Sequence, residues 1–352
     1  MTQSELSSIV DQLADGFWES ILELNPTTAT VYGDERYNDR LEDPGPAGRM
    51  KVRALMERTK ADAEAISPDG LSVEDRITRD MLIVIADQGI EEDDQGIHRL
   101  RVVDQIGGPQ TLLPQICQFQ PADTPERFEK FVARLESYRE YMAANTDILR
   151  EGLDTGLTAP RIVAERTVAQ LERLMAVPLA EAIVPSLAQV ASDADRERVR
   201  KIAEDVIYPA DRAFLDVLSG DYLKATRTDP GLWSAANGES IYRTQIRSWT
   251  TLDLDPKEVH EIGLEELRIV DVGRRQIASR AGAASPAAYR QRLADDPANT
   301  PTSKEELLAR AREDIERAMA VAPRFFGTLP KAGCEVRAVE EFKEKDAPFA
   351  YY

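Results

Sequence analysis

Between residues 242 and 249 the chain gathers its densest set of groups able to meet a substrate: Tyr242, Arg243, Arg247 and Trp249. Arg243 and Arg247 are one helical turn apart, so their guanidinium groups share a face and could grip a carboxylate. Two cations at that spacing repel unless an anion sits between them, and locally only Glu239 lies one turn before Arg243. The Tyr242 hydroxyl adds a donor. Tyr242, Ile246 and Trp249 share the neighbouring side of the same helix, which is expected to be buried. The set suits the terminal carboxylate of a peptide or a small acid. The plainer reading is two arginines paired with surface acids.

The second feature is His260-Glu261, the only His-Glu pair in the chain. A zinc helix of the HExxH kind needs another histidine one turn on, so that both imidazoles face one metal. That position is Leu264. The half-motif supplies no metal ligand, and His260 reads as a partly exposed helix residue. With only His98 and His260 present, a histidine-dependent triad has little to draw on, and no GxSxG elbow offers a serine. No catalytic residue is assigned, and no metal or other cofactor is expected in this chain. Acid pairs such as Glu265-Glu266 or Asp34-Glu35 carry no specificity in so acidic a sequence.

The net charge of −19 over 352 residues argues against nucleic acid or an anionic membrane as partner, because like charges repel. Oligomeric state is not legible. The first residues carry no basic n-region and no apolar h-region, so no secretory signal is expected. Cys117 and Cys334 read as free thiols. The expectation is a cytoplasmic protein.

The elements that must position these groups are helical. Leu6, Val10, Leu13, Phe17 and Leu24 recur at helical spacing, and Asn25-Pro26 ends that helix. Residues 27–40 read as irregular, and a second helix runs over 47–65. Ser72 caps a third, and residues 87–94 read as an exposed acidic bend. Residues 100–103 read as a short extended segment. Phe128, Phe131, Val132, Leu135, Tyr138 and Met142 form one core stripe. Pro178, Pro185 and Pro209 bend or end later helices. Asp255, Pro256 and Glu258 restart a helix after the break at Leu252-Asp253-Leu254, and Thr302 with Glu305 reads as a capping box. Cys334, Val336 and Ala338 alternate with charges, which predicts a strand near 334–342. The fold expected is mostly α: an elongated multi-helix single domain over 1–352, with a small amount of strand near the C-terminus. The apolar, aromatic end at 348–352 reads as a truncation point.

Several segments in order resemble the bacterial family called domain of unknown function 885. They are Asn25-Pro26-Thr27-Thr28-Ala29-Thr30-Val31-Tyr32-Gly33 with Asp39-Arg40-Leu41, Asn237-Gly238-Glu239-Ser240-Ile241-Tyr242-Arg243, the run from Thr250 to Leu264, and the final Ala347-Pro348-Phe349-Ala350-Tyr351-Tyr352. That family is similar to helical zincin-like carboxypeptidases. The resemblance implies a helical fold around a groove, with zinc held by an HExxH helix and a downstream glutamate in a later portion. None of those ligands carries over to a position here. The expectation is the N-terminal helical portion of a zinc metallopeptidase-like protein of carboxypeptidase type, with a peptide or a small molecule as substrate. It would form groove walls, with Tyr242, Arg243 and Arg247 binding substrate and zinc arriving only with the later portion. The alternative is a non-enzymatic helical binding or interaction module.

Overall fold

The computed structural model describes residues 3–176 and 192–339, which are mostly helical, with no sheet among them. An isolated parallel bridge joins Pro160 to Arg227. The chain falls into two compact units, Met1–Leu254 and Asp255–Tyr352. The border coincides with the Leu252-Asp253-Leu254 break.

The first unit begins with α1 (Gln3–Leu24) and α2 (Pro26–Val31). Pro26 suits a first helical position because it has no N–H to lose there. With a 3₁₀ turn at Glu35–Tyr37, α2 corrects the irregular stretch expected over 27–40. Helices α3 (Pro46–Ala65) and α4 (Val73–Asp94) pack on each other and on α1. The Ser72 hydroxyl caps α4 by accepting from the Asp75 N–H at 3.1 Å, and Ser7 of α1 donates to the Asp75 carboxylate at 3.0 Å. A short helix, α5 (His98–Arg101), stands where an extended segment was expected.

The main apolar core lies among α6 (Leu112–Phe119), α7 (Pro125–Glu136), α8 (Tyr138–Thr155), α9 (Arg161–Ala176), α10 (Asp193–Ile202) and α11 (Tyr208–Val217). Phe128, Phe131, Val132 and Leu135 are buried from α7, and Tyr138 and Met142 from α8, as their periodicity predicts. Between α10 and α11 the chain makes a π turn, Ala203–Ile207. Pro209 explains it: the ring crowds the carbonyl four residues back and offers it no N–H. That carbonyl, on Asp205, accepts instead from Arg139 Nη2 at 2.6 Å. A second π turn, Leu218–Tyr222, follows α11, with Gly220 outside helical geometry. The bends expected at Pro178 and Pro185 lie outside the described residues. Helix α12 (Gly238–Thr250) completes the helices of the first unit.

The second unit holds α13 (Pro256–Arg280), α14 (Pro286–Asp295) and α15 (Lys304–Val321). Asp255 caps α13 as expected, accepting from the Lys257 N–H at 2.9 Å. The box at α15 is one residue later than expected: Ser303 accepts from the Glu306 N–H at 3.2 Å, and the Glu306 carboxylate accepts from the Thr302 N–H at 2.7 Å. The strand expected near 334–342 is corrected. Residues 334–339 are irregular, since alternation alone cannot hold a strand without a neighbour to share its backbone hydrogen bonds. Residues 340–342 lie outside the described residues. No described helix is long and apolar enough to cross a membrane.

Candidate functional site

Helix α12 is framed by two backbone constraints. Asn237, just before it, adopts left-handed φ 54°, and Thr251, just after it, φ 58°. Asparagine enters this region readily, whereas a β-branched residue such as Thr251 is a clear outlier there, at a cost of about 1–2 kcal/mol. Gly238 is equally constrained, because a Cβ would come within 1.8 Å of the Leu232 carbonyl oxygen. The Asn237-Gly238 pair therefore fixes how the helix starts.

Ile241 and Thr244 set the inward edge of α12. Ile241 packs with Ile97 and Leu157, and Thr244 donates to Glu91 at 2.9 Å. Tyr242 lies about 100° further round. It is 42% exposed and Trp249 is 82% exposed, so the side expected to be buried is corrected: of that trio only Ile246 is inside.

The acids that meet α12 come from the end of α4, which the sequence reading took for an exposed bend. Glu91 accepts from Thr244 and, in a close ion pair, from Arg247. Glu92 accepts from Arg101 at 2.7 Å, Gln245 at 3.3 Å and Ser248 at 3.4 Å. Burial works to raise the Glu92 carboxyl, but Arg101, Gln245 and Ser248 outweigh it and hold it below its ordinary range. The Glu91 carboxylate holds the Arg247 guanidinium above its usual range. No sequence spacing links Glu91 to Arg247; only tertiary packing brings them together.

The three predicted binding residues thus share one helix in different states. Arg247 is held by Glu91 and lies 3.5 Å from Asp253. Arg243 meets Glu239 of its own helix at 3.3 Å, with that glutamate well exposed. Tyr242 is open to solvent.

The histidines do not assemble a zinc site. His98 Nε2 lies 3.3 Å from Glu151, which also receives Arg49 at 2.9 Å and lies 3.4 Å from Arg99. Burial and then the Arg49 charge push the His98 imidazole below its ordinary range. Two guanidinium groups around one carboxylate repel a dication. His260 is exposed on α13. Among the described residues no group of three or more His, Cys, Asp and Glu could hold a metal ion. The zinc implied by the resemblance does not fit the donors that the described residues bring together.

The other stretch that carries the resemblance, residues 25–41, is organised by Arg134 of α7. Its guanidinium is fully buried and donates to the carbonyls of Arg40 at 2.8 Å, Tyr37 at 2.7 Å and Pro26 at 3.3 Å. It also donates to Thr30 Oγ1 and Gln120 Oε1, both at 2.8 Å. All five donor positions are used. Sequence alone does not single out Arg134, because an arginine inside an amphipathic helix looks like a surface charge.

The chain resembles several solved structures. One is a candidate lipoprotein from Colwellia psychrerythraea, with TM-score 0.83 and 18% identity, covering 98% of this chain and 64% of that one. Another is a candidate lipoprotein of unknown function from Shewanella oneidensis, with TM-score 0.59 and 18% identity, covering 92% and 59% respectively. This chain therefore spans less than two thirds of either neighbour, and at that identity the likeness concerns fold. No curated protein matches it. Residues 26–352 match the family described as bacterial protein of unknown function, DUF885, and the chain belongs to that family.

Proposed function

We propose that this chain is the N-terminal helical portion of a zinc metallopeptidase-like protein of carboxypeptidase type. In this reading α12 forms part of the wall of a peptide groove. Arg243 and the Tyr242 hydroxyl receive the peptide's terminal carboxylate, Trp249 offers an apolar face beside them, and Arg247, anchored by Glu91, lends positive potential. The observation that carries the binding role is the frame of α12. Two non-glycine left-handed residues, Asn237 and Thr251, bracket a helix whose tyrosine and tryptophan are turned to solvent. Strain such as that at Thr251 persists where surrounding structure holds it, often at binding sites. The peptidase class rests on the family resemblance, and zinc ligands would come from polypeptide outside these residues, as in a protein the length of the solved neighbours.

The second reading is a helical binding module without catalysis. It is favoured by Leu264 in the place of a second zinc histidine. Both readings share the carboxylate contact, so the experiment compares a peptide with its C-terminal amide, read through tryptophan fluorescence. Preference for the free acid supports the contact, and equal binding sinks it. Cell fractionation distinguishes a cytoplasmic location from an envelope location, the latter suggested by the neighbours' names.

A further inference from the structure

Where α3, α5 and α8 meet, three basic side chains share one acid. The side chains of Arg49 on α3, His98 and Arg99 on α5, and Glu151 on α8 are each 21% to 28% exposed. Arg49 is well used: it donates to the Glu151 carboxylate at 2.9 Å and to the Pro44 carbonyl at 2.9 Å. His98 Nε2 takes a second place on that carboxylate at 3.3 Å. Arg99 is left with a poor contact. Its Nε lies 3.4 Å from Glu151 Oε2, and this buried N–H has no hydrogen-bond acceptor among the described residues. A buried donor in that state is costly.

The other acids nearby are committed elsewhere. Asp93 and Asp94, at the end of α4, are held by Arg53 of α3, and Glu92 by Arg101. Acids are plentiful in a chain of net charge −19, yet among the described residues none but Glu151 pairs with Arg99. The backbone makes room for this arginine. Gly96 turns the chain from α4 into α5 at φ 66°, and a Cβ there would come within 1.9 Å of Arg99 Nη1. Any other residue at 96 would push the guanidinium aside.

The charge count leaves the cluster positive. Two guanidinium groups against one carboxylate give about +1 with a neutral imidazole, and about +2 once His98 takes a proton. A carboxylate ligand fills one planar fork. A tetrahedral oxyanion offers acceptors in several directions, which suits donors arriving from both α3 and α5.

We propose that Arg99, with Arg49 and His98, binds a small oxyanion of the phosphate type beside Glu151. Arg99 turns to present its fork, Nε–H included, because only the long contact with Glu151 holds it where it is. Glu151 meanwhile keeps Arg49 in place. The added negative charge favours the protonated form of His98, against the burial and the Arg49 charge that keep it neutral. This site is separate from the carboxylate contact proposed at Arg243.

The chain has two histidines, so labelling histidine Cε1 with carbon-13 gives two NMR signals, and His260→Gln identifies them. Inorganic phosphate is titrated into the full chain near neutral pH at constant ionic strength. The expected result is a saturable shift of the His98 signal, half complete at phosphate on the order of millimolar, with His260 unmoved. The titration midpoint of His98 rises as phosphate is added, by linkage. Arg99→Gln keeps the helical circular dichroism, since the Arg99 side chain makes no hydrogen bond among the described residues, and weakens phosphate about fivefold or more. Arg243→Ala leaves the phosphate shift unchanged. The proposal is overturned by no saturable shift up to tens of millimolar phosphate, by an equal shift in Arg99→Gln, by His260 moving in parallel, or by acetate acting as strongly as phosphate.

Discussion

Arg134 shows how one side chain can specify a loop. Its charge is buried with carbonyl and amide oxygens rather than a carboxylate, and burial pushes the guanidinium down to about 10, with Glu42 and Asp39 acting the other way. It remains a cation at neutral pH. Arg134→Met leaves buried acceptors without donors and should cost about 3–5 kcal/mol, read from the urea midpoint. Arg134→Lys keeps the charge but loses the planar fork, so the expected loss is smaller, about 1–3 kcal/mol. A neutral result for both would mean that the stretch 25–41 holds itself. Asp211 is the opposite case. Burial pushes its carboxyl up to about 7, while the Tyr138 hydroxyl, donating at 2.8 Å, works to lower it. The native state then keeps a proton that the unfolded chain gives up at about pH 4. Its contribution is full below that and is lost as pH rises to about 7, amounting to at most a few kcal/mol. Asp211→Asn should flatten the stability profile over that window, and an unchanged slope would show the carboxyl to be ionised throughout.

At the scale of elements, α12 depends on what precedes it. Gly238→Ala drives a Cβ into the Leu232 carbonyl, which only a backbone shift can relieve. The expected loss is about 1–3 kcal/mol in thermal or urea unfolding, with free-acid peptide binding weakened in parallel. Wild-type stability would show that the Leu232 turn yields. Most helices were legible because apolar spacing and caps act locally: Ser72, Asp255 and the α7 stripe follow from neighbours within a turn or two. Tertiary choices were not. The inward edge of α12 went to Ile241 and Thr244 because Ile97, Leu157 and Glu91 come from elsewhere in the chain. The strand expected from Cys334, Val336 and Ala338 failed for the complementary reason, since a local pattern does not supply a partner. The sequence puts Tyr242, Arg243 and Arg247 on one helix, but not Glu91, which only tertiary packing brings beside Arg247.

For the whole molecule, a strongly acidic helical chain carries cationic and aromatic side chains together on α12, with no assembled metal donors among its described residues. The 352-residue chain is therefore expected to retain no stoichiometric zinc after dialysis and to release no amino acid from peptides. About one zinc per chain, found by metal analysis, would contradict that. The central claim is the contact between Arg243 and a peptide carboxylate. A cycle combining Arg243→Ala with a free-acid peptide and its C-terminal amide isolates that contact, because fold and side-chain contacts of the peptide cancel. Arg243 is partly exposed, which puts its coupling near the low end for a charged hydrogen bond, about 1 kcal/mol or roughly fivefold in affinity. The account predicts that Arg243→Ala weakens the free acid by about that factor and leaves the amide unchanged. Equal loss for both peptides, or none for either, would contradict it.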